Sequence, residues 1–196
     1  MSSSSTIPGV QTPLAPAYTP NPNPTTTKEE SSATQTIISA LNLLKHIEGG
    51  YFAEIDRNPL TIPNPFLTTS TTPSNTQQTA EKPFSGDNSI RNASTSIYYL
   101  LTPLTPQGHF HRNKGRTVHT LIQGRGRYVL IHADEEDVGG EKGKKRIESF
   151  VVGKDVAKGE RSVWIVEGGK FKASYLLPEG QEGGDDERLL ISEVSL

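Results

Sequence analysis

Cysteine is absent from the 196-residue chain. Its absence excludes disulfide bonds, thiolate metal sites and cysteine nucleophiles, and it fits a reducing compartment. No run approaches the roughly 18 apolar residues that span a bilayer. The stretch before Lys28 lacks Lys, Arg and an apolar segment, which predicts neither a secretory signal nor a transit peptide. We expect a cytoplasmic protein, with the nucleus as the second compartment open to it, and no membrane partner.

An excess of charge of either sign is also lacking. The chain has 20 Lys and Arg against 22 Asp and Glu, so its net charge is -2 at pH 7. This balance gives no basis for binding a polyanion, and we expect no nucleic acid partner.

Apolar residues are scarce as well, at 32% of the chain with a mean hydropathy of -0.52. The length allows one domain, but a chain packed throughout would need more apolar residues to offset its ordering entropy. Ser, Thr, Pro and Asn dominate two stretches. We predict a disordered tail over residues 1–33, and a single domain over 34–196 with a flexible insertion at about 58–83.

The remaining sequence has the periodicity of one helix followed by many strands. Apolar residues from Ile37 to Ile47 recur at three- and four-residue intervals, which predicts a helix with His46 in its last turn, ending at Gly49-Gly50. Residues 51–57 read as a short strand. Seven further strands, separated by Gly and Pro turns, are predicted at 94–101, 117–123, 127–132, 146–152, 162–167, 170–177 and 188–194. Such spacing predicts an all-β antiparallel sandwich or barrel.

Three histidines are the main candidate functional residues in the sequence. His109 and His111 are two residues apart and share a face if they lie on a strand, and His119 shares a face with Thr117 on the next strand. We predict that the three imidazoles converge in one cavity. Such a cluster suits either metal binding or proton transfer near neutral pH.

The segment Gly108-His109-Phe110-His111, followed by Gly124, resembles the first motif of the cupins. A cupin subgroup of unknown function is more similar still. Its marks are Glu-Gly-Gly-Tyr-Phe (Glu48–Phe52), Ile-Tyr-Tyr-Leu-Leu (Ile97–Leu101) and Phe-His-Arg (Phe110–Arg112). The resemblance covers about residues 37–194 and implies a cupin double-stranded β-helix, or jelly roll, that forms a homodimer.

Two positions depart from the cupin metal site. Thr117 stands where the cupin pattern places a glutamate ligand, and Lys172 stands in place of the last histidine ligand. A protonated lysine cannot coordinate a metal, so we expect no cofactor. The alternative is a divalent metal (Fe, Mn, Ni or Zn) held by His109, His111 and His119.

The same departures favour a different ligand. A cavity with three histidines and Lys172 carries positive charge, which suits an anionic small molecule, and Glu54 would add a carboxylate if it faced inward. Nucleotide-sugar epimerases are metal-free cupins similar to this arrangement, in which a histidine acts as base and a tyrosine as acid. The candidate tyrosines are Tyr51, Tyr99, Tyr128 and Tyr175.

We therefore predict a small-molecule-binding cupin with isomerase- or epimerase-like acid–base chemistry on an anionic carbohydrate or nucleotide derivative. His111 and His119 are the predicted catalytic residues. The predicted ligand-binding residues are His109, Tyr51, Glu54, Tyr99, Arg112 and Lys172. One alternative is a metal-dependent enzyme, such as a dioxygenase or a metal-assisted isomerase. The other is a non-catalytic module that docks partners through the tail and the insertion.

Overall fold

The computed structural model describes residues 16–18, 28–67, 86–179 and 184–196. In this part of the chain one helix, α1 (Ser32–Ala40), precedes twelve strands. The strands are β1 (Leu44–Lys45), β2 (Tyr51–Arg57), β3 (Thr61–Pro63), β4 (Ile90–Asn92), β5 (Thr95–Leu101), β6 (Gln107–Arg112), β7 (Thr117–Gly124), β8 (Gly126–Ile131), β9 (Ile147–Val152), β10 (Val163–Val166), β11 (Phe171–Leu176) and β12 (Leu189–Ser195). Short 3-10 turns at Val138–Gly140 and Val156–Lys158 flank β9.

Two antiparallel sheets form the body of the fold. The six-stranded sheet has the order β1-β2-β5-β12-β7-β10, and the four-stranded sheet has the order β6-β11-β8-β9. The last strand, β12, lies between β5 and β7, so the C-terminal segment occupies the interior of the larger sheet. This arrangement confirms the prediction of an all-β jelly roll with one helix near its N-terminus.

The interior between the sheets is divided into an apolar part and a polar part. Leu189 and Ile191 of β12 belong to a core that both sheets fill, together with Trp164 and other large side chains. Further along the same strand, Glu193 and Ser195 line a cavity. Because alternate residues of a strand share a face, one strand supplies both the core and the cavity.

Helix α1 covers the outer face of the six-stranded sheet. Its Ile38, with Leu43 just beyond it, packs against Tyr51, Leu100 and Leu190. The helix is nine residues long, and within the described residues no helix has the length and apolar content needed to cross a bilayer.

The helix boundaries differ from the predicted ones. The helix begins after Ser31, whose hydroxyl accepts a hydrogen bond from the Thr34 amide. It ends at Ala40, because Asn42 takes a left-handed conformation (φ 52°) and the Leu43 amide bonds back to the Ile38 carbonyl. His46 therefore lies beyond the helix, in the β1–β2 loop, and the prediction that placed it in the last turn is wrong.

The two segments predicted to be flexible are 1–33 and about 58–83. Most of them, namely residues 1–15, 19–27 and 68–83, lies outside the described residues. The chain beside them is held in place. Glu30, within the predicted tail, accepts hydrogen bonds of 2.8 Å from the hydroxyls of Tyr51 and Thr102. At the start of the predicted insertion, β3 pairs with β4 as a separate two-stranded ribbon.

Replacing Leu101 tests the assignment of the core. Leu101 is fully buried between the sheets, so Leu101→Ala removes packed methyl groups and leaves a cavity. We expect a loss of about 3 kcal/mol in the free energy of unfolding, measured by urea denaturation. The matched control is Leu44→Ala. Leu44 is 69% exposed, so this variant should lose far less unfolding free energy. Equal losses in the two variants would contradict the assignment.

Candidate functional site

A cavity of about 290 Å³ lies between the two sheets beside the apolar core. The six-stranded sheet lines it with Phe52, Ile97, Tyr99, Glu193 and Ser195. The four-stranded sheet contributes His111, Arg112, Tyr128, Lys172, Ala173 and Ser174. The β1–β2 loop adds His46 and Glu48, and Asn113 follows β6. The site therefore combines charged, hydroxyl and aromatic groups.

An ion cluster lies at one wall of the cavity, where Lys172 and Glu193 line it and His119 is buried behind them. The Lys172 ammonium donates to Glu193 Oε1 at 2.5 Å, and its Nζ lies 3.1 Å from His119 Nε2. His119 Nε2 is also 3.0 Å from Glu193 Oε2. Lys172 is only 2% exposed and His119 is fully buried. Because β11 carries Lys172 while β7 and β12 carry its two partners, the cluster joins the two sheets.

Burial and mutual charge set the pKa values in the cluster. Burial lowers the pKa of Lys172, and the Glu193 carboxylate opposes that effect. Burial alone would raise the pKa of Glu193, but the His119 hydrogen bond and the Lys172 charge bring it well below the usual range. Burial lowers the pKa of His119. The cluster is thus a lysine–carboxylate ion pair in contact with a neutral imidazole.

Aromatic contacts hold the His119 ring in place. It stacks on Trp164 with ring centroids 5.0 Å apart, and it meets Tyr128 edge-on at 5.5 Å. His119 does not line the cavity, because these rings and Lys172 cover it. Its place is therefore behind Lys172, and not on the cavity surface where a catalytic residue was predicted.

His111 faces the cavity from β6. Its Nδ1 lies 3.0 Å from the carbonyl oxygen of His109 and 3.4 Å from Glu48 Oε2. Both neighbours are hydrogen-bond acceptors, so Nδ1 carries the proton of the neutral ring. Nε2 then keeps a lone pair, and among the described residues it has no hydrogen-bond partner. Nε2 is therefore the ring nitrogen at which His111 could accept a proton.

A β-bulge separates His109 from His111. In the β6–β11 pairing, Lys172 lies opposite His111 and Ser174 lies opposite Gly108. Two steps along β11 thus match three steps along β6, and this extra residue breaks the alternation of faces. His109 is exposed and does not line the cavity. The predicted convergence of three imidazoles therefore does not occur.

Two phenols and a serine form the wall next to Lys172. The Tyr99 hydroxyl donates to the Gly49 carbonyl at 2.9 Å, and the Ser174 hydroxyl lies beside the hydroxyls of both Tyr99 and Tyr128. Burial raises the pKa of both phenols, which keeps them protonated at neutral pH. A Cβ at Gly108 would come within 2.5 Å of the Tyr99 and Ser174 oxygens, so glycine is required there for space.

The positive interior expected from the sequence is not found, because Glu193 balances Lys172. Arg112 is a second cationic residue among those that line the cavity. Its guanidinium lies 5.2 Å from the centre of the Phe171 ring, and among the described residues no carboxylate pairs with it.

Besides His109, two predicted ligand-binding residues lie away from the cavity. Tyr51 precedes the cavity residue Phe52, so strand alternation turns it to the opposite face of the sheet, beneath α1. Its hydroxyl donates to Glu30 there. Glu54 is 41% exposed, forms an ion pair with Arg57 and does not line the cavity. Of the four candidate tyrosines, only Tyr99 and Tyr128 line it.

The donor set does not fit the metal site of the resemblance. Within the described ranges there is no group of three or more His, Asp or Glu side chains that could hold a metal ion. His109 lies outside the cavity, and the Lys172 ammonium lies 3.1 Å from the one nitrogen through which His119 faces the interior. The alternative set of His109, His111 and His119 is therefore not assembled.

Comparison with known proteins agrees with this fold. Residues 35–196 match the family described as Cupin superfamily (DUF985). The chain belongs to this family. The uncharacterized protein YML079W of Saccharomyces cerevisiae is similar to this cupin, with 42% identity over 171 residues, covering 85% of this chain and 71% of the yeast protein.

Two solved structures are also similar to this cupin. A hypothetical protein from Leishmania major has a TM-score of 0.59 at 22% identity, covering 85% of this chain and 81% of that chain. Protein SO0799 from Shewanella oneidensis has a TM-score of 0.54 at 20% identity, covering 86% and 78%. At these identities the likeness shows the fold alone.

Sequence reasoning missed two carboxylates of this cupin. Glu193 could have been found, since it continues the alternation Leu189, Ile191, Glu193 onto the interior face of the last strand. Glu48 was recognised as part of a motif, but its closeness to His111 has no local signal. It arises because the His109 amide donates a hydrogen bond of 2.7 Å to the Glu48 carbonyl, which is distant in sequence.

Glu193→Gln tests the buried ion pair. The substitution leaves the Lys172 ammonium without its counter-charge, so we expect a loss of about 3 kcal/mol in unfolding free energy at neutral pH. Because the folded-state pKa of Glu193 lies below its unfolded value of about 4.3, this stabilisation is complete above that pH. It is lost as the pH falls towards the folded-state pKa.

The measurement is urea unfolding of wild type and variant over a range of pH. The difference in unfolding free energy between wild type and variant should be constant near neutral pH and should shrink below about pH 4.3. Glu167→Gln is the matched control, since Glu167 is 53% exposed and pairs with Arg116 at the surface. A difference that grows on acidification would contradict the ion-pair assignment.

Proposed function

We propose that this cupin binds a small anionic carbohydrate or nucleotide derivative and moves a proton on it by acid–base chemistry, as an isomerase or epimerase does. The observation that carries the proposal is the imidazole of His111. It faces a cavity of about 290 Å³ while its Nδ1 is held by Glu48 and by the His109 carbonyl. This volume is at the lower end of the usual range for small-molecule sites.

His111 is the proposed general base. With the proton fixed on Nδ1, Nε2 can accept a proton from a bound molecule. Glu48 Oε2, 3.4 Å from Nδ1, would then stabilise the imidazolium that forms. This is the relation between a base and the carboxylate that orients it in acid–base enzymes.

Tyr128 is the proposed proton donor. The Tyr99 hydroxyl proton is engaged by the Gly49 carbonyl, whereas Tyr128 lines the cavity beside the Ser174 hydroxyl. Its raised pKa keeps it protonated at neutral pH until a stronger base forms on the ligand. A base and an acid on different strands could thus act on one bound molecule.

Arg112 is the proposed partner of the ligand's anionic group. A guanidinium forms paired hydrogen bonds with phosphate or carboxylate oxygens, and no carboxylate of the described chain competes for this one. Phe52 and Ile97 offer an apolar surface, and the hydroxyl-bearing wall suits a polyhydroxylated ligand. These features support a sugar phosphate or nucleotide derivative over an apolar molecule.

Calorimetric titration with a panel of sugar phosphates, nucleotides and their uncharged counterparts tests binding. We expect at least one anionic member to bind, and Arg112→Ala to weaken it about tenfold while leaving uncharged members unchanged. Arg116→Ala is the matched control, because Arg116 pairs with Glu167 at the surface. No heat from any member at millimolar concentration would remove the proposal.

Exchange of a ligand C–H proton with deuterated solvent, followed by NMR, tests the chemistry. His111→Gln should slow exchange by about 100-fold or more while leaving the dissociation constant nearly unchanged. Tyr128→Phe should slow turnover to product more than it slows exchange. Unchanged exchange in His111→Gln would leave a binding protein without the proposed catalysis.

The alternative of a partner-docking module depends on the segments 1–33 and 58–83, most of which lie outside the described residues. It stays a prediction.

A further inference from the structure

The Lys172 ammonium is surrounded as a bound cation would be. Its Nζ is within 2.5 Å of Glu193 Oε1, 3.1 Å of His119 Nε2 and 3.4 Å of Thr117 Oγ1. Carboxylate, imidazole and hydroxyl are all groups that can ligate a metal ion. All three neighbours come from the six-stranded sheet opposite Lys172. Asn113 also donates to Glu193 Oε1 at 3.3 Å, which orients the carboxylate.

We propose that the Lys172 ammonium is a built-in replacement for a divalent metal, and that His119 and Glu193 form a latent metal site that opens when residue 172 becomes a ligand. In the wild-type protein, the Lys172 ammonium occupies the position between His119 Nε2 and Glu193 Oε1, 3.1 Å from the first and 2.5 Å from the second. A divalent ion there would meet a positive charge at contact distance and would lose the ligands it needs. The native interior therefore excludes divalent metals.

The ligand chemistry of the latent site follows from the residues present. With Lys172→His, the interior would hold two imidazoles and one carboxylate, a set that first-row divalent metals accept in proteins. The Thr117 hydroxyl and the cavity would leave room for a solvent ligand. This inference concerns the cluster behind the cavity and does not depend on the proposed chemistry of His111.

Trp164 supplies a reporter inside the site. It is the only tryptophan in the chain, and its ring stacks on His119 with centroids 5.0 Å apart. A paramagnetic ion bound to His119 would quench its fluorescence. Metal bound at surface histidines or carboxylates would lack this direct contact with the reporter.

The experiment is a titration of the full chain with Co²⁺ at neutral pH, followed by Trp164 fluorescence and by the visible absorption of bound cobalt. We expect no saturable quenching in wild type. Lys172→His should bind one equivalent, with quenching and an affinity at least about 100-fold higher than that of wild type. Adding Glu193→Gln to Lys172→His should weaken this binding, since one ligand is then lost.

Lys172→Met is the matched control, because it removes the charge without supplying a ligand, and it should bind far more weakly than Lys172→His. Circular dichroism establishes that each variant is folded. If Lys172→His does not fold, Lys172→Asp supplies a carboxylate at the same position and should show the same saturable quenching. Saturable binding of one Co²⁺ with quenching in wild type would overturn the proposal. A folded Lys172→His or Lys172→Asp that fails to bind would overturn it equally.

Discussion

The ion pair between Lys172 and Glu193 is the constraint on which the interior of this cupin depends. Lysine lies at the centre of one sheet and glutamate at the centre of the other, and neither could be buried without its partner. Their contact fixes the distance and the alignment of the sheets at the polar end. His119 completes the cluster, and its stacking on Trp164 links the cluster to the apolar core.

The charge balance inside the barrel also decides where a ligand could be recognised. Since Glu193 neutralises Lys172, the wall of the cavity that they line attracts neither sign of charge strongly. The proposal therefore gives recognition to Arg112 and proton transfer to the pair of His111 with Glu48. In the proposed function, the polar cluster therefore has a supporting role, and the acid–base chemistry belongs to His111 of β6 and Glu48 of the β1–β2 loop.

One irregularity in a strand pairing decides which histidine takes part. The β-bulge between β6 and β11 turns His109 out and leaves Gly108 facing in. The inward glycine matters, because the Tyr99 and Ser174 oxygens occupy the space a side chain would need. The motif thus places one imidazole in the cavity and gives the phenol wall its room, where a regular strand would have placed two imidazoles.

The sequence by itself predicted eight of the twelve strands of the described residues and an antiparallel sandwich or barrel, because alternation and glycine turns are local signals read along the chain. The short strands β1, β3, β4 and β6 were not predicted, and the jelly roll and the cupin family followed from the resemblance of the motifs. The sequence also identified His111, Lys172 and Arg112 as candidate site residues, and all three line the cavity. Only the tertiary structure decided that Glu193 faces Lys172, that Glu48 approaches His111, and that Tyr51 and Glu54 stay outside the cavity. These contacts depend on register between strands distant in sequence, and a single bulge reverses the face on which a residue lies. A pattern read within one strand contains no information about that register.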